Sequence, residues 1–233
     1  MKKIKQIIKK ILLKNLFLSK IYENKLLRKE EKEYISKVNT FNKNGSTVIQ
    51  EFLEICNSLN IKCWLVYGTL LGYVREHGLI KHDYDFDLGI WKEDYSNKLK
   101  NTLKENGFKL IHQFYGINYD AFEQTYEKKG VSIDIFYSYK NEQMVWTHVF
   151  HRENNDILPN DTWRVRKLPY PNKGLTEINF FNKKTFIPSN YEEYLALTYG
   201  DGWKIPDPNF DWKNGPYADS IIPNVYGKME HFN

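Results

Sequence analysis

Cysteine is scarce in this chain: Cys56 and Cys63 are the only two in 233 residues. Two thiols make neither a disulfide framework nor a four-cysteine zinc site. Long apolar runs are missing as well, since no stretch approaches the roughly 20 consecutive apolar residues of a membrane-spanning helix. Fibrous, disulfide-rich, zinc-finger and integral-membrane classes are therefore excluded. What the chain does have is aromatic mass: 17 Tyr, 14 Phe and 6 Trp, within a hydrophobic fraction of 41%. A disordered chain is poor in such residues, so a sizeable packed core is expected.

Acid is absent from the N-terminus. Residues 1–20 hold seven lysines and no carboxylate, a charge of +7 against a total of +5, so the rest of the chain sums to −2. The basic character is local and does not indicate a nucleic-acid-binding domain. Ile4, Ile7, Ile8, Ile11, Leu12 and Leu18 recur there at helical spacing with lysines between them. Two readings stay open: a helix lying in a membrane interface beside anionic lipid, or a helix packed on its own domain or a second subunit. Lys9, Lys10 and Lys14 interrupt any secretory core, so a cytoplasmic location is expected, with peripheral contact at the inner membrane face through residues 1–20.

Residues 21–44 read as a helical linker. A helix is expected from Ser46, as N-cap, to about Asn60, burying Val48, Phe52, Leu53, Cys56 and Leu59. KCWLVYG (62–68) reads as a buried strand. The following TLLGYVREHG reads as a short helix closed by Gly78, and DFDLGIW (85–91) as another strand. A surface helix over 93–105 and four further strands (FKLIHQF, YDAFEQTYE, VSIDIFY and MVWTHVF) follow. Residues 151–187 read as loops with short strands. A last helix is expected from Ser189, which stands at capping-box spacing from Glu192, to Tyr199–Gly200. This predicts an α+β domain over 45–233 with a helical extension over 1–44.

The chemistry concentrates in YGTLLGYVREHGLIKHDYDFDLGI, residues 67–90. A strand ending in Gly68-Thr69 passes straight into a helix, whose unpartnered N–H groups and positive dipole end suit a phosphate. Arg75, about two turns on, is placed to clamp the same anion. Asp83, Asp85 and Asp87 are spaced by two, so on an extended chain they share a face while Phe86 and Leu88 point to the core. Carboxylates that close repel unless a cation lies between them. A hard divalent ion, Mg²⁺ or alternatively Mn²⁺, is the usual solution. In VSIDIFY, Asp134 is the one charge in an apolar strand. It is either a salt-bridged core residue or a third carboxylate joining the pair as metal ligand or proton acceptor. Further candidates carry less weight: His82 beside the acidic run, and Trp163, Arg164 and Arg166 in an expected polar loop. His148 and His151 are assigned no metal.

Together these features resemble the nucleotidyltransferase fold, the polymerase-β-like mixed sheet flanked by helices. More narrowly, GTLLGYVREHGLIKHDYDFDLGI resembles the LicD/fukutin-related family, with its G-T-L-L-G, arginine and P-W-D-x-D-x-D run. PSNYEEYLALTYGDGWKIPDP (188–208) is similar to the family's closing segment. Position by position, the resemblance implies donor-phosphate binding by Gly68, Thr69, Gly72 and Arg75. It implies catalysis and metal binding by Asp85, Asp87 and Asp134, with Asp83 completing the acidic run. Lys81-His82 departs from the usual Pro-Trp, and the zinc-binding cysteine cluster of some members has no counterpart. The implied reaction moves a phosphorylated alcohol (phosphocholine, ribitol phosphate, glycerol phosphate or similar) from a CDP-activated donor to a saccharide hydroxyl, as in capsule or lipopolysaccharide synthesis. A lipid-linked saccharide is among the acceptors expected. The alternatives are a nucleotidyltransferase that moves NMP itself, which product mass separates, and a metal-dependent glycosyltransferase.

Overall fold

The structure, a computed structural model, describes residues 16–152, 158–159 and 161–232, with side chains from residue 27 onward. The lysine-rich segment and nearly all of its apolar stripe lie outside the described residues. The described chain opens with one helix, α1 (Leu16–Ser58). It runs unbroken through Ser46, which is an interior residue and not the expected N-cap. Helix-favouring residues continue from 21 to 44 without a proline, and the capping hydroxyl has no helix end to serve. The predicted stripe is otherwise as expected, with Val48, Phe52, Leu53 and Cys56 buried and Leu59 partly so.

After α1 come β1 (Cys63–Leu65), α2 (Tyr67–Glu76), β2 (Asp85–Trp91), a 3₁₀ turn (Lys92–Asp94) and α3 (Asn97–Glu105). The Ser96 hydroxyl caps α3 by accepting from the Leu99 N–H at 3.3 Å. α2 ends on His77, whose φ of 53° takes the left-handed position expected of Gly78. Next are β3 (Lys109–Gly116), β4 (Phe122–Lys128), β5 (Val131–Lys140), β6 (Met144–His151), β7 (Thr162–Pro171), β8 (Leu175–Phe180), β9 (Lys183–Pro188), α4 (Tyr191–Tyr199) and β10 (Ile221–His231). Residues 151–187, expected as loops with short strands, carry β7, β8 and most of β9, with more strand than expected, and the sequence pattern gives no sign of β10. Ser189 does not cap α4. Its hydroxyl meets that of Thr176 at 2.9 Å, and Asn190 takes the N-cap position.

All strands form one sheet, ordered β4-β3-β10-β7-β6-β5-β2-β1-β9-β8, in which β4 also pairs with β5. That extra pairing closes β3, β4, β5, β6, β7 and β10 into an antiparallel ring. β5 serves both parts: it pairs with β4, with β2 in parallel, and with β6 at Tyr139 and Lys140. This is the mixed sheet with flanking helices that the α+β reading requires. α1 packs against β2, β5 and β9. Between them lie Phe41, Ile49, Phe52, Phe86, Leu88, Ile133 and Ile135, all buried. Burying each such side chain stabilises the fold by about 1.5–3 kcal/mol. A smaller apolar cluster crosses the ring, where Phe114 of β3 stacks on Phe150 of β6 at 5.1 Å. Cys56 and Cys63 are buried free thiols of the main core.

Candidate active site

The alternation of β2 places Phe86, Leu88 and Ile90 in the core and leaves Asp85 and Asp87 on the opposite, half-buried face. Parallel pairing with β5 then puts Asp134 directly opposite Asp87 and Ser132 opposite Asp85. Three carboxylates from distant parts of the chain therefore share one face of two adjacent strands. Asp134 has no lysine or arginine as a hydrogen-bonded salt-bridge partner among the described contacts. It accepts the Thr125 hydroxyl of β4 at 2.5 Å, and that hydroxyl lies 2.9 Å from His112 Nε2.

The corner before α2 fixes the other side of the cluster. Tyr67 adopts φ 42°, a left-handed conformation costing a non-glycine residue about 1–3 kcal/mol. It is held there on several sides. Its hydroxyl meets that of Thr147 at 2.7 Å, its N–H donates to the Tyr194 hydroxyl at 3.4 Å, and its ring packs on Phe136 at 4.7 Å. Beyond this strained residue the Gly68 N–H donates to Asp87 Oδ2 at 3.0 Å, and the Asp87 N–H donates to Thr69 Oγ1 at 2.8 Å. The helix dipole end that suits a phosphate here faces a carboxylate. A Cβ on Gly68 would stand 3.1 Å from Asp83 Oδ2 and 3.2 Å from Asp87 Oδ2, so Asp83 joins the cluster.

Crowding and burial hold protons on these groups. Burial first, then Asp83, pushes the Asp85 carboxyl up to about 7. Burial and the Asp85 charge push Asp134 to about 7 as well, and burial alone brings Asp83 to about 6. Asp87 is driven well above the usual carboxylate range by burial and then by Asp85. A fifth acid, Glu123 of β4, is raised strongly by burial and by Asp134. Sequence reading passed over Glu123, Thr125 and His112. The signal was the polar alternation of YDAFEQTYE, which places Glu123 and Thr125 on one face. The donor set is all carboxylate oxygen, and its mutual repulsion is what a hard divalent cation relieves, so the residues fit Mg²⁺ or Mn²⁺ in chemistry. Among the described residues no three such side chains are already drawn round a single metal position.

The other expected contributors make contacts of their own. Arg75 donates to Glu76 Oε1 at 3.0 Å and to the Trp203 carbonyl at 3.5 Å, toward the segment after α4. Gly72 backs onto the 78–80 turn, where a Cβ would come within 2.8 Å of the Gly78 carbonyl, so its smallness serves packing. His82 is exposed, and its carbonyl accepts the Tyr34 hydroxyl at 2.9 Å. Trp163, Arg164 and Arg166 belong to strand β7 and not to a polar loop. Trp163 packs on Phe114 at 5.0 Å, Arg164 stands opposite His151, and buried Arg166 donates to the Lys213 carbonyl at 2.9 Å. His148 is buried between Tyr119 and Tyr139, its pKa lowered by burial to about 4.

A model of the family described as LicD/FKTN/FKRP, nucleotidyltransferase domain, matches residues 60–190, which carry all of the clustered carboxylates. Among similar proteins, the ribitol-5-phosphate transferase FKTN of Macaca fascicularis is 30% identical over 185 residues, 79% of this chain and 38% of its own length. The ribitol 5-phosphate transferase FKRP of Mus musculus is 27% identical over 161 residues, 67% of this chain and 31% of its own length. The chain thus spans only about three-tenths to two-fifths of the length of these relatives. With the motif, the acid cluster and the family model falling on the same residues, this chain belongs to the LicD/FKTN/FKRP family.

Proposed function

We propose that this chain transfers a phosphorylated alcohol from a CDP-activated donor to a saccharide hydroxyl, on a nucleotidyltransferase-type fold. The observation that carries the reading is the in-register pair Asp87 and Asp134 beside Asp85 on parallel strands. Ribitol phosphate is the alcohol favoured by the names of the relatives. Asp85 and Asp87, with Asp134 alongside, would hold Mg²⁺, which neutralises charge on the donor's diphosphate.

The protein's own groups do the remainder. The Gly68 N–H fixes one oxygen of Asp87, and Thr125 fixes Oδ1 of Asp134, so both carboxylates are oriented before substrate arrives. Asp134, opposite Asp87 and oriented by Thr125, is placed to accept a proton. The saccharide oxygen forms a bond to the distal phosphorus, and its proton passes to Asp134. The bond from that phosphorus to the bridging oxygen breaks, and CMP leaves with the bridging oxygen. The lysine and isoleucine pattern of residues 1–20 supports a cytoplasmic site at the inner membrane face, with a lipid-linked acceptor for capsule or lipopolysaccharide.

The test is product mass after incubation with CDP-ribitol, CDP-choline or CDP-glycerol and saccharide acceptors, with and without Mg²⁺. Gain of an alcohol phosphate with release of CMP is the expected result, and gain of NMP overturns it. Asp85→Ala is expected to abolish turnover while leaving the thermal transition cooperative. Turnover near the wild-type rate would remove Asp85 from the site.

A further inference from the structure

The family model begins at residue 60, yet the acid cluster has a neighbour well before it. One face of α1, marked by Tyr34, Lys37, Phe41 and Gly45, runs along the approach to β2. Tyr34 donates its hydroxyl to the His82 carbonyl at 2.9 Å and meets the Tyr84 ring edge-on at 5.9 Å. Phe41 packs on Phe86 at 4.7 Å, and Gly45 brings the helix backbone within reach of Phe86 and Leu79. Between these anchors Lys37 Nζ sits 5.2 Å above the centre of the Tyr84 ring, in a cation–π contact that orients an otherwise exposed amine.

Tyr84 stands between Asp83 and Asp85 in the chain, so this contact holds the ammonium beside the start of the acidic run. Arg75, the cation that the sequence motif nominates, is engaged by Glu76 and the Trp203 carbonyl. A diphosphate donor brings at least two further negative charges to a face already crowded with acids. A fixed cation beside that face adds to what a divalent ion supplies in holding the diphosphate.

We propose that Lys37 is a donor-binding residue: its ammonium contacts the diphosphate of a nucleoside-diphosphate-linked donor and stabilises the departing nucleotide phosphate. This rests on the function proposed above and deepens it, because α1 supplies part of the site from outside the matched segment. A flexible, strongly hydrated ammonium suits this task as a point charge, and a guanidinium keeps the charge in a broader form.

The experiment measures CDP binding by calorimetry in the presence of Mg²⁺, and turnover with a CDP-alcohol, on the full chain and its Lys37→Gln and Lys37→Arg variants. Lys37→Gln is expected to weaken CDP binding and raise donor KM by about tenfold, the loss of one charge-assisted contact. Saccharide KM and the melting temperature should stay unchanged, and Lys37→Arg should recover most of the affinity. Wild-type CDP binding and donor KM in Lys37→Gln overturn the inference while leaving the proposed reaction intact. A wild-type protein that binds no CDP and turns over no CDP-alcohol overturns both. An equal rise in both KM values, or a lowered melting temperature in both variants, assigns Lys37 a structural role and also overturns it.

Discussion

Gly68 and Asp87 are tied backbone to side chain: the Gly68 N–H donates to Asp87 Oδ2 at 3.0 Å across the mouth of the acid cluster. Only the lack of a side chain permits that approach, since a Cβ there would meet the oxygens of both Asp83 and Asp87. Gly68→Ala should therefore displace both carboxylates by a few tenths of an ångström. Turnover is expected to fall by about ten- to a hundredfold, with a shift of only a few degrees in melting temperature. Steady-state kinetics alongside thermal unfolding checks this, and unchanged kcat refutes it.

Gly72, four residues on, should answer in the opposite way. Its missing Cβ makes room for the Gly78 carbonyl at 2.8 Å, a backbone atom that cannot swing aside. Gly72→Ala is expected to cost about 1–3 kcal/mol of stability by overpacking. The surviving folded fraction should retain its kcat. Urea unfolding combined with active-site titration separates the two effects.

Thr125 links Asp134 to His112 through one hydroxyl. Thr125→Val keeps the shape and removes both bonds, leaving a buried carboxyl oxygen without its donor at a cost of about 1–3 kcal/mol. The expected signature is a fall in kcat larger than any change in donor KM, with Thr125→Ser recovering most of the rate. A KM effect without a kcat effect would show that the hydroxyl does not orient the proton acceptor.

Metal-free stability should fall as pH rises from about 4 to 7. Asp85 and Asp134 keep their protons to about 7 in the folded chain and Asp83 to about 6, against 3.8 when unfolded. In that window the folded state holds more protons than the unfolded one, so raising pH favours unfolding. Asp87 and Glu123 are raised too and act in the same sense. His148, lowered from 6.5 to about 4, and His112, also lowered by burial, oppose them, two groups against these five. In chelator the melting temperature should be higher at pH 5 than at pH 7.5. Mg²⁺ should raise it at pH 7.5, and Asp85→Asn with Asp134→Asn should flatten the profile. A melting temperature that climbs with pH would contradict the buried-acid arrangement.

The acid cluster was legible because its signal is local. Period-two spacing of Asp83, Asp85 and Asp87 beside Phe86 and Leu88 fixes which face each side chain takes, and Asp134 stands out as a charge in an apolar strand. Partners set by strand pairing were not legible. Thr125 reaches Asp134 only because β4 and β5 pair in that register, and β10 joins the sheet by inserting between β3 and β7. The contacts of the residues named by resemblance were not legible either: Arg75 reaches Glu76 and the Trp203 carbonyl, and Gly68 and Thr69 bond with Asp87. The extent of α1 was missed because Ser46, an apt capping residue, sits where the helix simply continues.

Closure of six strands on themselves has a consequence for how copies of this chain meet. Among the described residues the sheet offers a single unpaired flank, β8, and that flank is only six residues long. Glu177 stands exposed at its middle, in an ion pair with Lys184 at 2.6 Å. An incoming strand would have to set its own side chains against that pair, so edgewise polymerisation is discouraged at the one place where it has a template.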